Sequence, residues 1–194
     1  FIQDIASQFL VYELSQFLRQ QGMNEARILD LCAAPGGKSM GLALNGFQVF
    51  ATDHNNERMR KVQENILRMR LQKQLEILPY DEQVFARDCD VIWVDAPCTS
   101  TGTLRRHPEI SYHRGDVDLA ALVEIQRELF KKAISSQRPG SYVLYSVCSV
   151  LKEEGQHIAD AFMAGCELIK KWELAPHQCP YGDGFYAILF RVRS

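Results

Sequence analysis

The chain has 194 residues, 46% of them hydrophobic, which is enough for one domain with a normal buried core. No apolar run reaches the length of a membrane span, and the first residues lack the basic-then-apolar pattern of a secretory signal. A formal net charge of −2 gives none of the global basic footprint common among nucleic-acid binders.

In chain order, the stretch from Asp4 to about Arg19 sets Ile5, Phe9, Tyr12 and Phe17, with Leu10, Leu14 and Leu18, at helical spacing. Arg27 to Leu31 is a short apolar run closed by a glycine-rich turn, and Gly36 to Asn45 reads as a helix. Gln48 to Thr52 predicts a second strand ending at Asp53. Asn55 to Arg70 predicts a long helix with Met59, Val62, Ile66 and Met69 on one side. Leu75 to Leu78 and Asp90 to Val94 follow as strands. After Asp95 a segment rich in turn formers runs to about Gly115, and connections of that length are often functional. A helix from about Val117 to Ser136, a strand from Tyr142 to Val147 and a helix near Lys152 to Met163 come next. Cys166 to Leu174 and Tyr186 to Val192 complete the strands.

This alternation predicts an α/β fold with a mostly parallel sheet. No repeat, linker or low-complexity stretch interrupts it, so residues 1–194 read as a single domain. Because it begins with Phe1 rather than Met, the chain also fits a fragment of a longer protein. In such sheets ligands bind beyond the carboxyl ends of the strands. Cys32 to Lys38, Asp53, Asp81, Asp95 to Cys98 and Cys148 are expected there.

The run Cys32-Ala33-Ala34-Pro35-Gly36-Gly37-Lys38 ends a strand in small residues and opens a helix. Glycines let backbone approach a ligand, and a helix N-terminus offers N–H groups to a carboxylate or phosphate. The run is neither GxGxxG nor a Walker sequence, which argues against a nicotinamide cofactor or a nucleoside triphosphate. A tight turn would demand the same glycines. Asp53 can accept hydrogen bonds from the ribose hydroxyls of an adenosine group, or it can cap the helix beginning near Asn55. Asp81 can meet an adenine amino group, or it is a turn residue beside Pro79.

Asp95-Ala96-Pro97-Cys98 ends one strand and Tyr145-Ser146-Val147-Cys148-Ser149 ends another, an arrangement that brings two thiols to one rim. A single buried cysteine is usually a small apolar core residue. Two at neighbouring strand ends fit covalent catalysis. A thiolate adding to carbon 6 of cytosine makes an enamine whose carbon 5 can attack an electrophilic methyl group. Asp95 would stabilise the adduct near nitrogen 3 and the exocyclic amine. All six cysteines (Cys32, Cys89, Cys98, Cys148, Cys166 and Cys179) are scattered, with no zinc-ligand spacing. They are expected to be free thiols in a reducing cytoplasm, with no metal.

On these motifs the chain resembles the Sun family of RNA 5-methylcytosine methyltransferases, which includes the bacterial small-subunit rRNA methyltransferases B and F. The resemblance runs from Gln3-Asp4-Ile5-Ala6-Ser7-Gln8 through Asp183-Gly184-Phe185. It implies a Rossmann-like methyltransferase fold with a seven-stranded sheet. It further implies an S-adenosyl-L-methionine site formed by Cys32, Ala33, Ala34, Pro35, Gly36, Gly37, Lys38, Asp53, Asp81 and Asp95. By the same resemblance Cys148 is the nucleophile and Cys98 assists product release.

The chain departs from the family pattern in places. Thr99-Ser100-Thr101-Gly102 stands where Ser-Gly-Thr-Gly is usual, Val147 where threonine is usual and Gly155 where asparagine is common. The additional N-terminal RNA-binding region of the family is not in this chain. The loop from Thr99 to Arg114 carries Arg105, Arg106, His107, Tyr112, His113 and Arg114, which fit a grip on phosphates with an aromatic platform, or a plain solvated loop. The expected substrate is RNA, ribosomal in the first instance, in the cytoplasm and with no membrane partner. A tRNA-directed enzyme, or an inactive methyltransferase-like RNA-binding module, are the rival readings.

Overall fold

The computed structural model describes residues 3–113, 116–175, 178 and 182–193. Arg114, Cys179 and the side chain of His113 lie outside the described residues. The chain divides into two compact units, 1–93 and 94–194.

The first unit opens with helix α1 (Ile5–Gln20), whose N-cap Asp4 accepts a hydrogen bond from the Ala6 amide. Leu10, Val11, Leu14 and Leu18 form its buried stripe. Ile5, Phe9 and Tyr12, which share the helical spacing, face outward instead. Strand β1 (Arg27–Asp30), helix α2 (Gly37–Leu44), strand β2 (Gln48–Ala51), helix α3 (Asn56–Met69) and strand β3 (Leu75–Ile77) follow. Asn55 caps α3 by accepting from the Arg58 amide, and Met59, Val62 and Ile66 fill its inner face. A 3-10 turn at Glu82–Ala86 leads to strand β4 (Val91–Asp95). β1 pairs in parallel with both β2 and β4, and β2 with β3.

In the second unit the long segment after β4 is not structureless. A 3-10 turn at Thr101–Thr103 and a short helix α4 (Ile110–His113) break it up. Helix α5 (Asp116–Ser136) and strand β5 (Tyr142–Val147) follow, then helix α6 (Gln156–Phe162) and strands β6 (Cys166–Leu174) and β7 (Phe185–Val192). β7 runs antiparallel to both β5 and β6. Phe130 of α5 stacks on Phe190 of β7 and packs against Tyr145 and Phe162, an aromatic cluster at the heart of this unit.

The strands pair in the order β3-β2-β1-β4-β5-β7-β6, the seven-stranded, mostly parallel α/β sheet expected of a class I methyltransferase. Its order reverses between β1 and β4, where open α/β sheets form their ligand crevices. No helix among the described residues is long and apolar enough to cross a membrane.

Candidate active site

In the first unit, β1 and β2 end side by side and hand the chain into the loop before α2. The Ala33 amide donates to the Thr52 carbonyl at 3.0 Å, and the Ala34 amide to Asp53 Oδ2 at 3.2 Å. Asp53 is buried, and its other oxygen accepts from the Asn55 amide at 2.8 Å. The helix cap is therefore Asn55, while Asp53 braces the loop. Arg58 of α3 donates to the Ala34 carbonyl at 2.6 Å, and Ser39 of α2 to Asp30 Oδ2 at 2.6 Å.

Gly36 takes φ +96, a left-handed conformation glycine adopts without strain, and a Cβ there would press on Val62. A Cβ on Gly37 would meet Gln3 at 2.9 Å. The first turn of α2 has no side-chain cap and no acidic residue, so it suits a carboxylate. Beside Asp53, the buried Thr52 Oγ1 has no hydrogen-bond partner among the described residues. A helix start suited to a carboxylate, a buried acceptor suited to ribose hydroxyls and a small-residue loop make a donor set that fits S-adenosylmethionine. Cys32, Gly37 and Lys38 are half-buried around this loop, and Pro35 is exposed. Asp81 is exposed and caps the 3-10 turn after β3 by accepting from the Gln83 amide.

In the second unit, Cys98 follows β4 and Cys148 follows β5. Their sulfurs lie 3.3 Å apart, hydrogen-bonded and without a disulfide. Cys98 is buried and Cys148 half-buried. The hydrogen bond with Cys148 is the first cause holding the Cys98 thiol well above its ordinary range. Burial and the charges of Cys148 and Glu154 push the same way, and a hydrogen bond from the Ser100 backbone opposes them. Asp95, at the end of β4, accepts from the Ser146 hydroxyl at 2.7 Å.

Two loops hold the thiols together. The Gly102 amide donates to the Cys148 carbonyl at 3.0 Å, and the Gly184 amide to the Gly102 carbonyl at 2.9 Å. A Cβ on Gly102 would lie 2.0 Å from the Gly184 oxygen, so no larger residue fits there. Thr101 Oγ1 and Ser149 Oγ meet at 3.0 Å. Beneath them Glu154 is fully buried. Its carboxyl group accepts from the Thr99 amide (2.8 Å), the Thr99 hydroxyl (2.5 Å) and the Gln126 amide (3.0 Å). Gln126 also donates to the Pro97 carbonyl at 2.8 Å, so α5 grips the peptide on the other side of Cys98.

Glu154 and Gln126 escaped the sequence reading, because no spacing marks a residue that acts from a distant segment, and Ser100 showed there only as a departure from the family pattern. Val147 is buried within β5. Gly155 lies against the Tyr186 ring, where a Cβ would come within 2.8 Å. The two positions thus fit their own neighbours. In the basic loop, Arg105 and Arg106 both turn to Asp183, and the Arg106 guanidinium holds that carboxylate in a two-pronged grip. His107 contacts Glu109 at 3.0 Å, and Tyr112 is almost fully exposed. Those two arginines are first of all clasps on the β7 side of the loop.

The model of the family described as 16S rRNA methyltransferase RsmB/F matches residues 17–186. The chain belongs to the RsmB/F family. Ribosomal RNA small subunit methyltransferase B of Yersinia enterocolitica is 35% identical over 174 residues, covering 82% of this chain and 41% of the relative. The protein of the same name in Erwinia tasmaniensis is 36% identical over 201 residues, covering 95% and 45%. This RsmB/F chain thus spans less than half the length of those curated relatives. Among solved structures, NSun6 from Pyrococcus horikoshii, determined with SFG, superposes with a TM-score of 0.83 at 25% identity, covering 100% of this chain and 53% of that one.

Proposed function

We propose that this RsmB/F chain transfers a methyl group from S-adenosyl-L-methionine to carbon 5 of cytosine in ribosomal RNA, through a covalent bond between Cys148 and the base. The observation that carries this reading is the pair of thiol sulfurs 3.3 Å apart beyond β4 and β5, with Asp95 at the end of β4. Family membership supports the methyl-transfer class, and the relatives' names support rRNA. Cys32 to Lys38, Asp53, Asp81 and Asp95 would hold the cofactor. When bound, the cofactor supplies an electrophilic methyl group. Its analogue SFG in the related NSun6 structure supports that assignment.

Cys148 is half-buried where Cys98 is buried, which supports Cys148 as the attacking thiol. As a thiolate it adds to carbon 6, and the ring's electron pair moves towards carbon 5. Asp95, held by Ser146, serves nitrogen 3 and the exocyclic amine. Release breaks the carbon 6–sulfur bond as carbon 5 gives up its proton to water. This restores the ring double bond and expels the Cys148 thiolate, and the protonated Cys98 thiol can donate a hydrogen bond to that departing sulfur. The target must be unstacked, because a base within a helix cannot present both faces. The cytoplasm is the compartment that suits free thiols and a ribosomal substrate.

Labelled S-adenosylmethionine and unmodified rRNA, followed by digestion and nucleoside mass spectrometry, test the reaction. The expected product is 5-methylcytidine, lost with Cys148→Ala. Undiminished turnover by that variant overturns the nucleophile, and a label on another atom or only on tRNA overturns the substrate. Cys98→Ala should accumulate a protein–RNA band that survives denaturation. If none forms under turnover conditions, Cys98 has no part in release.

A further inference from the structure

Ser100 sits beside the two thiols in a conformation that its own type disfavours. Its φ is +61 with ψ 24, the left-handed region in which a side chain is strained. The turn that follows explains the backbone, because the Thr103 amide and hydroxyl both donate to the Ser100 carbonyl at 2.9 Å. It does not explain the side chain, since glycine would make the same turn without strain. What the side chain adds is a hydroxyl beside the reacting sulfur. The Cys148 thiol donates to Ser100 Oγ at 3.5 Å, and Cys98 Sγ lies 3.9 Å from the same oxygen.

We propose that Ser100 is a hydrogen-bonding partner of the nucleophile. Its hydroxyl accepts from the Cys148 thiol and, once that proton has passed to water, rotates to donate to the thiolate. A serine hydroxyl can take both roles because its single hydrogen turns freely about the C–O bond. The proposal rests on the preceding reading only in taking Cys148 as the attacking sulfur. Other titratable groups surround the pair. Cys98 and Asp95 come from the β4 side, and Tyr145 and Glu154 from β5 and the loop after it. All four carry negative charge when ionised, and in that form they oppose a thiolate at Cys148. The Ser100 hydroxyl stays neutral, so it can donate to the thiolate without adding charge, alongside the bond that the protonated Cys98 thiol makes to the same sulfur.

The test is the rate of iodoacetamide alkylation of Cys148, followed by peptide mass spectrometry across the neutral and alkaline range, in the parent, Ser100→Ala and Ser100→Gly. Peptide mapping separates Cys148 from Cys32, Cys89, Cys98, Cys166 and Cys179. Both variants should react about tenfold more slowly at neutral pH, with the half-maximal rate moved to higher pH. Ser100→Gly should melt no lower than the parent, since glycine suits the left-handed backbone, which separates the loss of the hydroxyl from unfolding. Profiles that superimpose on the parent in both variants overturn the proposal. A shift in Ser100→Gly alone also overturns it, because backbone freedom would then be the cause. No RNA enters the assay, so a failure of the cytosine reading leaves this result standing, and a null result here leaves methyl transfer untouched.

Discussion

Cys98 and Cys148 are the same residue type in different surroundings. The hydrogen bond with Cys148, and then burial, hold the Cys98 thiol well above its ordinary range, while Cys148 is only half-buried. Two other residues make predictions at this scale. Cys89 is buried, and burial raises its thiol from 9.0 to about 11 although Arg27 and Arg87 partly offset it. The folded state therefore binds more protons than the unfolded state between those values, so stability is full below pH 9 and falls as pH rises towards 11. The loss should reach about 2 to 3 kcal/mol. Urea titrations at stepped pH should show it, and Cys89→Ala should flatten the fall; an equal slope in that variant would assign the effect to other groups. Gly102→Ala should lower stability by about 3 kcal/mol, because the added methyl meets the Gly184 carbonyl rather than a movable side chain. Thermal melting reads the change. The cysteines, Asp95 and the small-residue loop were legible as residue types at strand ends. Ser100 was visible only as a departure from a pattern, since its meaning lies in a left-handed backbone and two sulfurs.

At the scale of elements, periodicity located α1, α3, α5 and every strand, because burial of one face repeats with the period of the element. It was weaker where tertiary contacts shape the chain. α6 begins at Gln156 rather than near Lys152, since the preceding turn carries Glu154 inward and Gly155 against Tyr186. Glu154 joins the Cys98 loop to α5, and Tyr145 donates to its backbone carbonyl at 2.5 Å. Removing its carboxyl group leaves buried donors on Thr99 and Gln126 without their acceptor. Glu154→Ala should therefore destabilise by about 3 to 5 kcal/mol, and Glu154→Gln by less, because one acceptor oxygen remains. The measurement is the urea midpoint at unchanged slope. A loss below about 1 kcal/mol in the alanine variant would mean that the network relaxes around the gap.

For the whole molecule, charge bears on how the proposed RNA substrate would be held. The chain carries a net −2, and Arg105 and Arg106 are engaged with Asp183. Its affinity for rRNA should then depend weakly on salt, with a logarithmic slope of about −2 rather than the steeper value of a protein that neutralises many phosphates. Filter binding at several salt concentrations measures the slope, and a value near about −6 would mean that phosphate contacts dominate after all. By itself the sequence determined the α/β class, the order of elements, the family and the chemical groups at the strand ends. Each of these follows from local periodicity or from short contiguous motifs. Only the tertiary structure decided that Asp53 braces a loop while Asn55 caps the helix, that the basic loop is clasped by Asp183, and that Ser100 and Glu154 attend the two thiols. Those facts depend on contacts between residues as many as 77 positions apart, which no local pattern encodes because many partners could satisfy the same donor.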